Sequence, residues 1–517
     1  MHPPALHSVQ TSAPLAAARS RQLTVAQQVT LLLVGHLLLW TWVGWSSRSN
    51  FDTPGDMVEA YAWAQGWQWG YYKHPPLSAW VVGLWFEIVP ESHLGYSLLA
   101  ALNSAIGLAG LAVLARQFLP GRWVLLAVAV ASLAPGVTTL AMRFNANAIL
   151  ISTWPWAIAL FVRLMQHGRA RDAVGCGIAC ALAMLGKYYS GVMLISLLAT
   201  ALWVPAWRSR LGSAAVVLAV LTFVACMAPH LAWLLAQTHG PLQYAQASTQ
   251  QGSSGDSVMR ALTFALAQCV FPVLAFLALR LALQGPARGA AFWQAVTAPL
   301  RPRGEATWLL AMLPIVATMA ATVLTGARTA SVWGLALAAG LALLAVSRAR
   351  DAGAELCLAR LWRTLAVVWL VIAVLSPTWW TSRAMLRTPS VAEPREELAH
   401  ALSQAWEQQF EGKLPWVTGT RVLAASVAFY APDHPQYWSL WNATVETPWA
   451  DSAAILRDGG VIVCELADEA CQSLAEAWTV DRRSLSVAKS ARGFDFEARQ
   501  YTVYWMAPLV QLTAGGY

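Results

Sequence analysis

Three short stretches, far apart in the chain, hold the residues best suited to chemistry. Gly55 to Leu77 reads GDMVEAYAWAQGWQWGYYKHPPL and carries Asp56, Glu59, Lys73 and His74. RFNAN at 143–147 supplies Arg143, Asn145 and Asn147, and GKYYS at 186–190 supplies Lys187 and Tyr188. All three lie inside or beside apolar segments, where Lys or Arg at mid-membrane depth costs about 2.5–3.5 kcal/mol on insertion scales and is rare unless it lines a wet cavity or meets a partner. A carboxylate can take a proton from a hydroxyl or amine, while cations steady a phosphate. Lipid-borne charge is therefore the chemistry these residues suit. Each also has a plainer role open to it. Lys187 beside Tyr188 and Tyr189 can snorkel to an interface, Asp52 can terminate the preceding helix, and the tryptophans at 63, 67, 69, 80 and 85 can form an aromatic belt. Asp56 and Glu59, three apart on one helix face, can be a solvated helix start.

The elements that must position these residues are membrane helices. Hydrophobic residues make up 57% of the 517 positions and charged residues 12%, which excludes a soluble globule for most of the chain. Spans of about 20 apolar residues, the length needed to cross ~30 Å of hydrocarbon, are expected near 26–47, 94–115, 123–142, 146–166, 172–189, 190–207, 213–236, 259–283, 306–325, 329–347 and 361–381, eleven in all. Arginines cluster at alternate connections: 116 and 122; 163, 169 and 171; 208 and 210; 280, 288, 301 and 303; 348, 350, 360 and 363. The positive-inside rule makes those cytoplasmic, provided that 75–92, with Glu87, Trp80 and Trp85, forms an interfacial helix rather than a span. The three chemical stretches then share the outer face, and the tail beyond Thr381 is outside, in a periplasm or its equivalent.

Residues 1–25 read as a disordered cytoplasmic leader, 26–381 as the membrane domain with its first outer loop at 48–92, and 382–517 as a small α/β domain. Within the latter, 395–411 and 469–478 have helical patterns, 460–464 reads as a buried strand and 497–505 as an alternating one. AFYAPDHPQ at 428–436 is expected to be a turn or a substrate-facing loop. The outer loop 237–257, with His239, Tyr244 and Asp256, is a candidate lid or a plain connection, and His230 reads as a hydrogen-bonded core residue.

The net charge of +8 follows from the cytoplasmic arginines and gives no reason to invoke nucleic acid. There is no repeat, no Walker loop, no dinucleotide fingerprint and no cysteine pattern for a metal, so soluble nucleotide chemistry has no support and no cofactor is expected, with the metal requirement left open. Cys176, Cys180, Cys226 and Cys269 read as small buried hydrophobes, whereas Cys464 and Cys471, in an exported tail, either bridge or remain free.

An acidic residue, an aromatic-rich helix, Gly-Tyr, a charged pair and Pro-Pro-Leu directly after the first span resemble the first outer loop of the polyprenyl-phosphate-sugar-dependent C-type glycosyltransferases. That superfamily includes protein O-mannosyltransferases and the bacterial transferases that decorate lipid A, aminoarabinose transferases among them. RFNANAILISTWPWAIALF at 143–161 and AMLGKYYS at 183–190 follow in the family's order and spacing. The resemblance implies a C-type fold in a bacterial inner membrane and transfer of a monosaccharide from undecaprenyl phosphate to a periplasmic lipid, glycan or protein. It matches Asp56 to the family's catalytic aspartate, Lys73 and His74 to its charged pair, and Lys187 to a lysine near the donor phosphate. Glu59, Arg143, Asn145, Asn147 and Tyr188 are the further candidates for substrate binding. Many relatives have a second aspartate at Asn147, and this chain does not. A lipid-linked saccharide flippase and a non-catalytic polyprenyl-lipid-binding protein are the alternatives, although a flippase should show internal symmetry.

Overall fold

The computed structural model describes residues 23–52, 54–237, 240–241, 243–244, 254–270 and 272–509. The 1–25 leader lies almost wholly outside the described residues, as do His239 and most of the 237–257 loop. The first ten helices are α1 (Val25–Ser46), α2 (Asp56–Ala64), α3 (Leu77–Phe86), α4 (His93–Ala115), α5 (Arg122–Ala131), α6 (Ile149–His167), α7 (Ala170–Gly186), α8 (Ser190–Trp203), α9 (Pro205–Arg208) and α10 (Ala214–Ala236). Thr24 opens α1 through a reciprocal capping box with Gln27. Helices α1, α4, α6, α7 and α10 pack in succession, and Ser190–Trp203, Ala306–Thr325 and Leu358–Met385 complete the bundle.

Eight helices among the described residues are long and apolar enough to cross a membrane. The expected 75–92 interfacial segment is the ten-residue α3, too short to span. The expected continuous span at 123–142 is not present as one helix: α5 stops at Ala131, and a 3₁₀ turn follows at Pro135–Val137, since Pro135 has no N–H to continue a helical ladder. The described residues of the segment expected at 259–283 are Ser254–Val270 and Val273–Ala282, and the segment expected at 329–347 begins as the 3₁₀ helix Ser331–Leu337 before Ala338–Asp351.

Two strands, β1 (Leu283–Gln284) and β2 (Glu355–Leu356), pair antiparallel between helices. Beyond the Leu358–Met385 helix lies a sheet of β3 (Trp416–Gly419), β4 (Gln436–Tyr437), β5 (Gly460–Glu465), β6 (Arg482–Ala491) and β7 (Phe494–Met506), in the order β4-β3-β5-β7-β6. The first three are parallel and the rest antiparallel. The helices expected at 395–411 and 469–478 are Arg395–Gln409 and Glu469–Glu476. Cys464 and Cys471 form a disulfide. The expected loop at 428–436 is corrected in its first half. Ala428, Phe429 and Tyr430 end the Arg421–Tyr430 helix, and Phe429 is buried edge-on against Phe51, Tyr61 and Phe86.

Candidate active site

Gly55, in the left-handed region at φ 82°, turns the chain into α2 so that Asp56 is its first residue. Asp52 supplies the missing cap: its two carboxylate oxygens accept from the backbone N–H groups of Asp56 and Met57 at 3.0 and 3.1 Å. Burial and the nearby Asp56 charge raise the Asp52 carboxyl above its ordinary range, while the Met57 N–H, Arg143 and the Asp56 N–H pull it back. The helix-terminating reading of Asp52 thus becomes a helix-starting one.

Asp56 is met from another part of the bundle. Asn145 Nδ2 donates to its Oδ2 at 2.9 Å, and Asn145 Oδ1 accepts from the backbone N–H groups of Asn147 and Ala148 at 2.9 and 3.0 Å, just ahead of α6. Asn103 on α4 holds this end of α6, donating to the Ala148 carbonyl at 2.7 Å and accepting from Ser152 at 2.6 Å. Such side-chain bonds replace the hydrophobic effect as a fixing force between helices in lipid.

Lys187 reaches the same place from α7. It leaves the helix in an extended conformation, and the turn behind it is pinned by Ser190, which accepts from Trp154 at 2.9 Å and donates to the Ala183 carbonyl at 2.6 Å. Lys187 Nζ donates to Asn147 Oδ1 at 2.5 Å and lies 4.3 Å from the centre of the Trp333 ring. Hydrogen bonds therefore run from Asp56 through Asn145 and Asn147 to Lys187. Lys187 is only 8% exposed, so its head does not simply snorkel into water.

The other candidates divide. Arg143 is about half exposed and lies 3.6 Å from Asp52, not beside Asp56. Lys73 pairs with Glu59 at 2.6 Å, and the Tyr72 hydroxyl donates to the same Glu59 oxygen at 3.2 Å. Burial raises the Glu59 carboxyl and Lys73 opposes that rise. For His74, burial first and then the Lys187 and Lys73 charges lower the imidazole to about 3, leaving it neutral at physiological pH and unsuited to supply positive charge. Tyr188 is engaged as well: its hydroxyl meets His230 Nε2 at 2.9 Å while His230 Nδ1 donates to the Trp69 carbonyl at 2.6 Å. His230, read as a hydrogen-bonded core residue, ties α10 to the first loop.

Sequence reasoning missed Trp333 as the ring under Lys187, and Gln65, which donates to the Pro435 carbonyl at 3.1 Å and accepts from Tyr437 N–H at 2.8 Å. No spacing signal links residues about 370 positions apart. Among the described residues, no three His, Cys, Asp or Glu side chains converge to hold a metal ion. The arrangement offers one carboxylate that can accept a proton, and one buried lysine nearby whose head can face an anion.

Comparison with known proteins bears on this geometry. The family model for dolichyl-phosphate-mannose-protein mannosyltransferase matches residues 73–233, a stretch that holds Lys73, His74, Arg143, Asn145, Asn147, Lys187 and Tyr188 but not Asp56 or Glu59. Lipid A galacturonosyltransferase RgtD of Rhizobium johnstonii is 27% identical over 254 residues, 48% of this chain and 52% of that protein, so the chain matches about half of that relative's length. ArnT from Cupriavidus metallidurans bound to undecaprenyl phosphate superposes with a TM-score of 0.57 at 16% identity, over 93% of this chain and 98% of that one. Its apo state gives the same score over 94% and 99%. The C-type glycosyltransferase fold expected from the first loop is the fold observed, as a helical membrane bundle with a small terminal sheet domain.

Proposed function

We propose that the chain is an integral-membrane glycosyltransferase that moves a monosaccharide from an undecaprenyl-phosphate donor to a lipid-borne saccharide acceptor on the outer face of a bacterial inner membrane. The observation that carries this reading is the hydrogen-bonded run from Asp56 to Lys187, which unites a carboxylate and a cation drawn from two distant stretches of chain. The names of the relatives support the chemistry and the class of acceptor.

In the proposed step, the acceptor hydroxyl oxygen attacks the anomeric carbon and its proton passes to Asp56. The bond from that carbon to the phosphate oxygen breaks, and polyprenyl phosphate departs as an anion beside Lys187. Attack opposite the leaving phosphate inverts the anomeric centre. The leaving group is already a stable anion, so one base and a positive field suffice. His74 is left as a neutral hydrogen-bonding group.

Asn147 fits this scheme. Its amide oxygen orients Lys187 without cancelling its charge, whereas an aspartate would pair with the ammonium before any phosphate arrived. Mass spectrometry of lipid, polysaccharide and protein fractions from a deletion strain tests the proposal. A lipid fraction lacking one monosaccharide, restored by the wild-type gene and not by Asp56→Asn, is expected. Fractions identical to the parent strain would overturn the reading.

A further inference from the structure

Asp56 opens α2, and from it Asn145 and Asn147 lead to Lys187 at the membrane helices. Beside the same helix, against the terminal sheet domain, lies a pocket of ≈ 470 Å³, open to solvent, whose wall includes Gly55, Glu59, Trp63, Lys73, Arg421 and Glu446 but not Asp56 itself. Glu59 is three residues beyond Asp56, on the same face of α2.

The pocket is walled by two ion pairs, one from each unit. Glu59 and Lys73 belong to the first loop. Arg421 and Glu446 belong to the sheet domain, joined by a two-pronged contact with Nη2 to Oε1 at 2.7 Å and Nε to Oε2 at 3.2 Å. Tyr72 and Tyr437 also line it. The charges are matched within the wall, which disfavours a bare anion. Fixed carboxylates and fork-shaped donors beside aromatic faces suit a ring bearing hydroxyl or amino groups, which needs acceptors, donors and an apolar face together.

The two units are fastened on both sides of the pocket. A Cβ on Gly55 would lie 2.7 Å from Val422, and one on Gly66 would lie 2.3 Å from the Trp449 ring. Gln65 bonds both to the Pro435 carbonyl and to the Tyr437 N–H. The pocket is preformed, and its two walls cannot separate without breaking these contacts.

We infer that this pocket is the acceptor subsite, holding a sugar ring of a glycolipid headgroup so that its hydroxyl lies toward Asp56, with Arg421 and Glu446 reading the ring from the sheet domain. This rests on the proposed transfer reaction: Lys187 takes the donor phosphate from the membrane side of Asp56, which leaves the pocket side for the acceptor. Arg421 and Glu446 bind and position the acceptor and take no part in the proton transfer.

The test uses the full chain in lipid nanodiscs, with binding of undecaprenyl phosphate and of lipid A measured on the same preparations. Arg421→Gln and Glu446→Gln are each expected to weaken lipid A binding about tenfold or more while undecaprenyl phosphate binding stays within about twofold. The double exchange Arg421→Glu with Glu446→Arg rebuilds the pair and guards against a folding defect. It should retain the parent melting temperature and still bind lipid A poorly. Unchanged lipid A binding in both single variants overturns the assignment, as does equal loss of both ligands. Wild-type protein that binds undecaprenyl phosphate but not lipid A overturns the acceptor subsite and leaves the donor reading standing. Wild-type protein that binds neither overturns the transferase reading itself.

Discussion

Asp56 is where carboxylate chemistry and fixed geometry coincide. Asp56→Asn keeps the shape and the contact with Asn145 but removes the base, so turnover is expected to fall about 10²-fold or more. Undecaprenyl phosphate binding should change little, and a purified variant with wild-type turnover would end the assignment. In the proposed step Lys187 acts through charge. Lys187→Ala should raise the donor KM and lower kcat in a transfer assay, and Lys187→Arg should keep part of the activity because the positive charge survives. Identical kinetics for Lys187→Ala would return the residue to a structural role beside Trp333. His74 gives a pH signature instead. Its folded value of about 3 lies below the imidazole's ordinary value of about 6.5, so between those limits the unfolded chain binds a proton that the folded one refuses. That contribution to stability is whole above about pH 6.5 and is lost as pH falls toward 3. His74→Gln should therefore lose less melting temperature than wild type between pH 7.5 and 5, measured by thermal unfolding in detergent, and an equal loss in both would contradict the buried neutral ring.

At the scale of elements, the start of α2 sets the position of Asp56, and Gly55 sets the start of α2. A side chain there would have to adopt the left-handed region, at about 1–2 kcal/mol, and would also press on Val422 at 2.7 Å. Gly55→Ala should lower thermal stability and, by displacing Asp56, cut turnover more than donor binding; unaltered stability and kinetics would mean that α2 tolerates a shift the close contact argues against. The sequence makes the long helices legible because twenty apolar residues have few other fates in a chain this hydrophobic. It also makes Asp56, Asn145, Asn147 and Lys187 legible as polar residues in apolar surroundings. The interruption ahead of Pro135 was open to reading from proline alone, but was hidden by continuous apolar composition on both sides. The Arg421–Tyr430 helix escaped because its apolar face is buried against Phe51, Tyr61 and Phe86, some 350 positions earlier. β6, RRSLSVAKSA, escaped because most of it is exposed and so lacks a burial pattern. Lys73 and His74 were legible as functional types but not in state: only the fold pairs the one with Glu59 and desolvates the other.

Across the whole molecule the polar groups separate by end. Arginine-bearing connections meet at one end, where Arg350 donates to the Phe118 carbonyl at 2.7 Å and Arg360 to Gln284 at 3.2 Å. Asp56, Asn145, Lys187 and the terminal sheet domain gather at the other, joined by Gln65 and by Arg492, which donates to the Ser46 carbonyl at 2.6 Å. Because the sheet domain and the site share an end, locating one locates the other. By the positive-inside rule we propose that the arginine-rich end is cytoplasmic, and the Cys464–Cys471 disulfide fits an oxidising compartment for the sheet domain. Alkaline phosphatase, active only after export, should therefore be active when fused after Tyr517 and silent when fused at Arg303. Activity at Arg303 with silence at Tyr517 would invert the molecule. Asp56 and the pocket would then face the cytoplasm, and an envelope saccharide presented on the outer face could not reach them.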